Sequence, residues 1–238
     1  MKSFLQGSVK LAYGAISAAR NVTSALVLTL GVACGGAVAA EPVTVVALGD
    51  SLTAGYGLAP DQGLVPRLQA WAAEQGVELV LQNAGVSGDT TAGGLSRVDW
   101  ALGPDAQAVM VTLGGNDMLR GVTPSQVRAN LDGILSVARG KGLPVLLVAM
   151  QAPPNFGAAY KAEFDAIYPE LAAKHGALLA PDFFAGFVAA GASMAEPASY
   201  AKWMQSDGIH PNAEGVALVV QGLGPKLLEL VAAVQAAP

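Results

Sequence analysis

Residues 43–52 read VTVVALGDSL. The first six, Val43–Leu48, are apolar or β-branched and are bounded by Pro42 and Gly49, which predicts a short strand. The run does not alternate with polar residues, so both faces of this strand are expected to be buried. That is the pattern of a parallel sheet covered by helices on each side. The Gly-Asp-Ser that follows sets Ser51 at the carboxyl end of the strand, the edge at which open α/β sheets bind ligands.

Reading outward, the same alternation continues. Helical spacing over 61–75 places Leu64, Leu68, Trp71 and Ala72 on one face, and 77–82 reads as a second strand. A helix over 91–102 carries Leu95, Val98 and Leu102. Strand 108–113 comes next, and Thr123-Pro124 opens a helix that runs to Arg139, with proline early, where its missing N–H costs nothing. Strand 144–150, a helix over 158–175 kinked at Pro169, and a weak strand 177–180 complete the sheet. A last helix over 212–234 is expected to be interrupted at Gly222, Gly224 and Pro225. The expected fold is three-layer α/β/α, with a flavodoxin-like five-stranded parallel sheet in the order 2-1-3-4-5.

Composition agrees with a folded domain. Of 238 residues, 53% are hydrophobic and 13% charged, which excludes a disordered chain. No solenoid repeat or heptad run is present. The net charge of −5 argues against nucleic-acid binding by phosphate neutralisation.

Part of the apolar excess lies at the N-terminus. Residues 1–40 hold Lys2, Lys10 and Arg20 and no acid, then the run Ala25–Ala33, then small residues before Glu41-Pro42. This order predicts a secretory signal peptide cut after about Ala40, leaving 41–238 as one domain in the periplasm or outside the cell. The apolar run is short for a membrane span. Cleavage would remove three basic residues and take the net charge from −5 to −8. It would also remove Cys34, the only cysteine, leaving no disulfide to form. The competing expectation is a lipid anchor at Cys34, although the leucine usual three positions upstream of such a cysteine is missing.

Four segments that follow the strands carry chemistry. They are Gly49-Asp50-Ser51-Leu52, Asn83-Ala84-Gly85, Gly114-Gly115-Asn116-Asp117 and Asp207-Gly208-Ile209-His210. With the strand order above, the first three meet at one rim, and 181–206 is long enough to bring the fourth back to it. GDSL at Ser51, Gly85, GGND at Asn116 and the Asp207-x-x-His210 pair resemble the blocks of the SGNH/GDSL hydrolases. The surrounding SLTAGYGL, NAGVSGDTTAGGL, MQAPPNFG and WMQSDGIHPN are similar to the branch of bacterial periplasmic thioesterases, lysophospholipases and arylesterases. The likeness covers most of 43–220. It implies the SGNH hydrolase fold, with Ser51 as nucleophile, His210 as base and Asp207 as its orienter. Gly85 and Asn116, with the Ser51 N–H, would form the oxyanion hole. It also implies aryl ester, lysophospholipid and acyl-CoA substrates.

The residues support the same chemistry on their own. A serine hydroxyl needs a base, and His210 has an acid three residues before it that can hold one ring nitrogen while the other faces Ser51. Asp50 and Asp117 read as acceptors that organise loops, because a carboxylate beside the oxyanion would oppose the reaction. Ser87 is a rival nucleophile that lacks the G-x-S-x-G elbow, since Asp89 takes the last glycine position. His175, at a helix end before Gly176, reads as a C-terminal capping residue. The loops 89–95, 118–122 and 151–156 are expected to line an acyl pocket through Asp89, Leu95, Met118, Leu119, Pro153, Pro154 and Phe156. No metal or nucleotide motif occurs, so no cofactor is expected. The expected partner is a small ester or thioester with an acyl chain, handled by a monomer without stable membrane insertion. A carbohydrate O-acetyl esterase and a non-catalytic acyl binder remain open readings.

Overall fold

The computed structural model describes residues 41–237. Strand β1 (Val43–Gly49) leads directly into the four-residue helix α1 (Ser51–Ala54). Helix α2 (Leu64–Glu74) precedes β2 (Leu79–Gly85), and α3 (Thr91–Ala101) precedes β3 (Ala108–Thr112). A second short helix, α4 (Gly115–Leu119), follows β3 at once, before α5 (Pro124–Gly140) and β4 (Val145–Val148). The chain closes with α6 (Ala158–His175), β5 (Leu178–Ala180), α7 (Ala185–Ala189) and α8 (Ala213–Gln235). All five strands are parallel, in the order β2-β1-β3-β4-β5.

The central strands are apolar because they are covered on both faces: every residue of β3 and β4 is buried. Helices α3 and α6 pack on α5, and α2 and α7 pack on α8. Each fully buried Val or Leu of such a sheet contributes about 1.5–3 kcal/mol. Strand β2 begins and ends later than its apolar run suggests. It is the edge strand, with Leu79 and Leu81 buried and Val80, Gln82 and Asn83 exposed. Polar residues on its open face are therefore ordinary strand residues, and the apolar run marks only part of it.

Helix α8 is not interrupted. Its glycines are places where another element comes close: a Cβ on Gly224 would lie 2.4 Å from Trp71 of α2, and one on Gly222 would lie 2.8 Å from the Gly186 nitrogen of α7. Pro225 is on the exposed face, where the carbonyl it leaves unpaired can reach water. The helix is long and apolar enough to cross a membrane by composition. Here Val216, Val219, Val220, Leu223, Leu227, Leu230 and Val231 are buried in the domain, which accounts for that composition. Helix α6 likewise runs through Pro169 as one element.

The sheet register positions the site. Gly49 at the end of β1 pairs with Gly85 of β2 and with Thr112 of β3. The chain that leaves each of the three strands therefore starts from one line across the sheet. The expected signal segment and its cleavage point, with Cys34, lie outside the described residues.

Candidate active site

Asp50 is the N-cap of α1, and its Oδ1 accepts the Leu52 N–H at 3.0 Å. An acceptor side chain at that position replaces the intrahelical partner that the first N–H groups lack. The cap fixes the turn in which Ser51 becomes the first helical residue, and the Ser51 N–H finds no acceptor among the described residues. The other oxygen of Asp50 accepts from the Asn116 side-chain amide, Nδ2 to Oδ2 at 3.1 Å. Asn116 reaches this point because Gly114 turns with φ 119° at the end of β3, where a Cβ would lie 2.2 Å from the Tyr168 hydroxyl. Asp50 is 3% exposed, and burial pushes its carboxyl up to about 6, against the opposing hydrogen bonds from Leu52 and Asn116. Asp117 organises the next turn, accepting the Thr91 N–H at 2.8 Å and the Thr91 hydroxyl at 2.6 Å. Both aspartates thus do what their positions in the sequence suggest.

The fourth segment forms a tight loop. Met204 bridges Pro211 antiparallel, the Gln205 N–H donates to the His210 carbonyl at 2.7 Å, and Gly208 turns with φ 66°. Within it, Asp207 Oδ1 accepts the N–H groups of Ile209 (2.9 Å) and His210 (3.1 Å), while Oδ2 lies 2.7 Å from His210 Nδ1. The hydrogen bond from His210, then the two backbone N–H groups, hold the Asp207 carboxyl down to about 2. An ionised carboxylate only accepts, so Nδ1 carries the hydrogen and Nε2 is left as an acceptor. Ser51 Oγ lies 2.8 Å from that Nε2. The Tyr56 ring covers one side of the imidazole, with centroids 4.7 Å apart.

Gly85 is not placed as an oxyanion donor, contrary to expectation. Its N–H is donated to Asn83 Oδ1 at 2.9 Å and does not face an empty position. Its lack of a side chain serves packing instead, since a Cβ would lie 2.3 Å from the Ala54 nitrogen of α1. Three residues on, Gly88 sits in the β2–α3 turn with φ 81° and an N–H that no described residue accepts. The sequence does carry a signal for it: the second glycine of NAGVSGD, further past the strand end.

The expected acyl-pocket residues also divide. Asp89 is ion-paired with Arg97 (Oδ2 to Nε, 2.7 Å). Leu95 packs between α3 and α5, where a Cβ on Gly133 would lie 2.8 Å from it, and Met118 is buried in the core. These three are held by structural contacts and are not among the residues that line the depression beside Ser51. Leu119, the last residue of α4, is exposed, as are Pro153 and Pro154 after β4, and Phe156 is half-buried. A shallow depression open to solvent instead adjoins Ser51 and His210 and is lined by Leu52, Tyr56, Leu58, Phe183 and Val216. Ser87 is exposed and makes no side-chain hydrogen bond to a described residue. His175 does not cap α6: its Nε2 lies 2.6 Å from Asp132 of α5, and Gly176 closes the helix in the left-handed conformation.

Arg97 has no local signature in the sequence. Besides pairing with Asp89, it donates from Nη1 to the Ala84 carbonyl (2.8 Å) and from Nη2 to the Gly49 carbonyl (2.9 Å). One guanidinium thereby ties the ends of β1 and β2 to the loop that holds Gly88.

Comparison with known proteins follows the same lines. Residues 47–218 match the model of the GDSL-like Lipase/Acylhydrolase family. The chain is 41% identical over 187 residues to Esterase TesA of Pseudomonas aeruginosa, covering 78% of this chain and 84% of that protein. It is 35% identical over 195 residues to Thioesterase 1/protease 1/lysophospholipase L1 of Escherichia coli, covering 81% and 87%. The crystal structure of AlinE4, an SGNH-hydrolase family esterase, superposes with a TM-score of 0.64 at 41% identity, covering 79% of this chain and 96% of that one. The register that gathers the three strand ends, the sheet order and the match over 47–218 together make this chain a member of the GDSL-like lipase/acylhydrolase family.

Proposed function

We propose that this enzyme hydrolyses carboxylic esters and thioesters by acyl transfer through Ser51. The observation that carries the reading is the continuous chain Asp207 Oδ2–His210 Nδ1 (2.7 Å) and His210 Nε2–Ser51 Oγ (2.8 Å). Ser51 Oγ attacks the carbonyl carbon while its proton passes to His210 Nε2, and Asp207 holds the imidazolium that forms. The negative oxygen is met by the Ser51 N–H, the second hydrogen of Asn116 Nδ2 and the Gly88 N–H in place of Gly85. His210 then gives its proton to the leaving oxygen or sulfur. Water, deprotonated by His210, attacks the acyl-enzyme and releases the acid and free Ser51.

Leu119, Pro153, Pro154 and Phe156 are the residues proposed to meet the acyl chain. Residues 1–40 are proposed as an export signal, on the order of basic residues, apolar run and small residues that precedes Glu41. Export favours esters and lysophospholipids over acyl-CoA as natural substrates. The test is hydrolysis of p-nitrophenyl esters from acetyl to palmitoyl, with Ser51→Ala beside the parent. Turnover of mid-length or long chains that is lost in Ser51→Ala supports the reading. Activity confined to acetyl would replace it with an O-acetyl esterase, and no turnover by the folded parent would leave an acyl binder.

A further inference from the structure

Asp207 and His210 form a self-contained turn, so something must fix where that turn sits against Ser51. Apart from the hydrogen bond between His210 and Ser51 itself, one side chain of the turn crosses to the loop that follows α1. Gln205 Nε2 donates to the Tyr56 carbonyl at 2.8 Å and to the Pro211 carbonyl at 3.0 Å. Both acceptors are carbonyls, so the amide must present its NH2 group to them, and each hydrogen serves one loop. The residues bridged are 149 apart in sequence.

The opposing surface is shaped to receive this side chain. Gly57 turns with φ 74°, and a Cβ there would lie 2.2 Å from Gln205 Oε1. The Gln205 N–H and carbonyl are engaged inside the turn as well, to the His210 carbonyl (2.7 Å) and from the Gly208 N–H (3.0 Å). The same residue therefore closes the base of the acid–base turn and attaches that turn to the nucleophile's loop. Because the carbonyl it holds belongs to Tyr56, it also fixes the backbone from which the Tyr56 ring covers His210.

We propose that Gln205 is a positioning residue that sets the alignment of His210 with Ser51, a proposal that rests on the acyl-transfer reading above. It touches no reacting atom. Its effect belongs in the rate of acyl transfer and not in substrate affinity, because misplacing a catalytic group by about 1 Å costs on the order of 100-fold.

The test compares the parent with Gln205→Glu, of equal size but with no donor, and Gln205→Met, which removes the amide without adding charge. Both are assayed for kcat and KM on p-nitrophenyl butyrate, for melting temperature, and for amide hydrogen exchange over 203–212. Expected results are a fall in kcat of about 10- to 100-fold, KM within about twofold, and faster exchange in 203–212 while the sheet stays protected. If kcat is retained in both variants, or falls only in step with melting of the whole domain, the proposal is overturned. Hydrogen exchange reads the clasp without any substrate, so unchanged exchange in 203–212 overturns it even for a protein that hydrolyses no ester. Failure of the functional reading is separate: it is the absence of Ser51-dependent turnover in the parent.

Discussion

Ser51 stands at the end of a strand buried at every residue but Thr44, capped by Asp50 from inside the core and braced by the Arg97 bonds to the ends of β1 and β2. Asp207 and His210 stand on an exposed turn that holds its own shape through Asp207 and meets the rest of the site through few bonds. The nucleophile is therefore placed by the hydrophobic effect acting on the whole sheet, while the base is placed by local hydrogen bonds. The first kind of placement tolerates the loss of one contact; the second does not.

Removing the reacting groups breaks both halves at once and should have the largest effect. Ser51→Ala or His210→Ala is expected to lower kcat by about 10⁴-fold or more, and the double variant little further, because the two act as a unit. An additive double variant in ester-hydrolysis kinetics would show that they do not. Asn116→Ala should come next, lowering kcat by roughly 100- to 1000-fold with a small change in KM. A loss mainly in KM would remove Asn116 from the stabilisation of the oxyanion.

Gly85→Ala separates packing from catalysis. Its Cβ would meet the α1 backbone at 2.3 Å, so a melting temperature lower by several degrees is expected, at a cost of roughly 1–3 kcal/mol. A variant as stable as the parent would show that the Ser51 loop yields more easily than the sheet behind it.

Asp50→Asn sharpens the contrast within the buried half. The folded carboxyl titrates at about 6 against 3.8 for the ordinary group, so its contribution to stability is full below about pH 3.8 and is lost as pH rises through 6. At pH 8 the ionised group is a cost of up to about 3 kcal/mol, which a neutral amide in its place would relieve. The variant should melt higher than the parent at pH 8, with the advantage gone by pH 4. It should also turn over more slowly by about 10-fold, since an amide at this position no longer requires the Asn116 NH2 to face it. A parent whose stability is flat between pH 4 and 8 would contradict this.

The smallest effect belongs to the exposed turn in acid. Asp207, held at about 2 against 3.8, contributes stability that is present above pH 4 and is lost as pH falls towards 2. Asp207→Asn should therefore flatten the acid limb of the melting curve slightly, and an unchanged limb would show that the turn contributes nothing to global stability.

The buried half was the legible half. Val43–Leu48 announces its strand by composition and the alternation announces a parallel sheet; with the order 2-1-3-4-5 supposed for it, which the structure has, the rim where Ser51 and Asn116 meet could be foreseen. Helices α1 and α4 could not be read by periodicity, because four and five residues do not complete a pattern of 3.6. The interruption expected in α8 failed because its glycines answer to Trp71 and Gly186, which are distant in sequence. Arg97 and Gln205 escaped for the same reason: each reaches a partner far off in the sequence, 48 and 149 residues away, and no local pattern announces that bond. The expectation for Gly85 failed because the Asn83 side chain, two residues back, occupies its amide.

The three-residue interval between Asp207 and His210 has a consequence for how the enzyme fails. A turn that keeps its acid and base together survives being lifted from its seat as an intact cartridge, and nothing in the sheet need follow it. Low concentrations of denaturant should then silence the enzyme while its circular dichroism is still that of the folded protein, and dilution should restore turnover without any refolding phase.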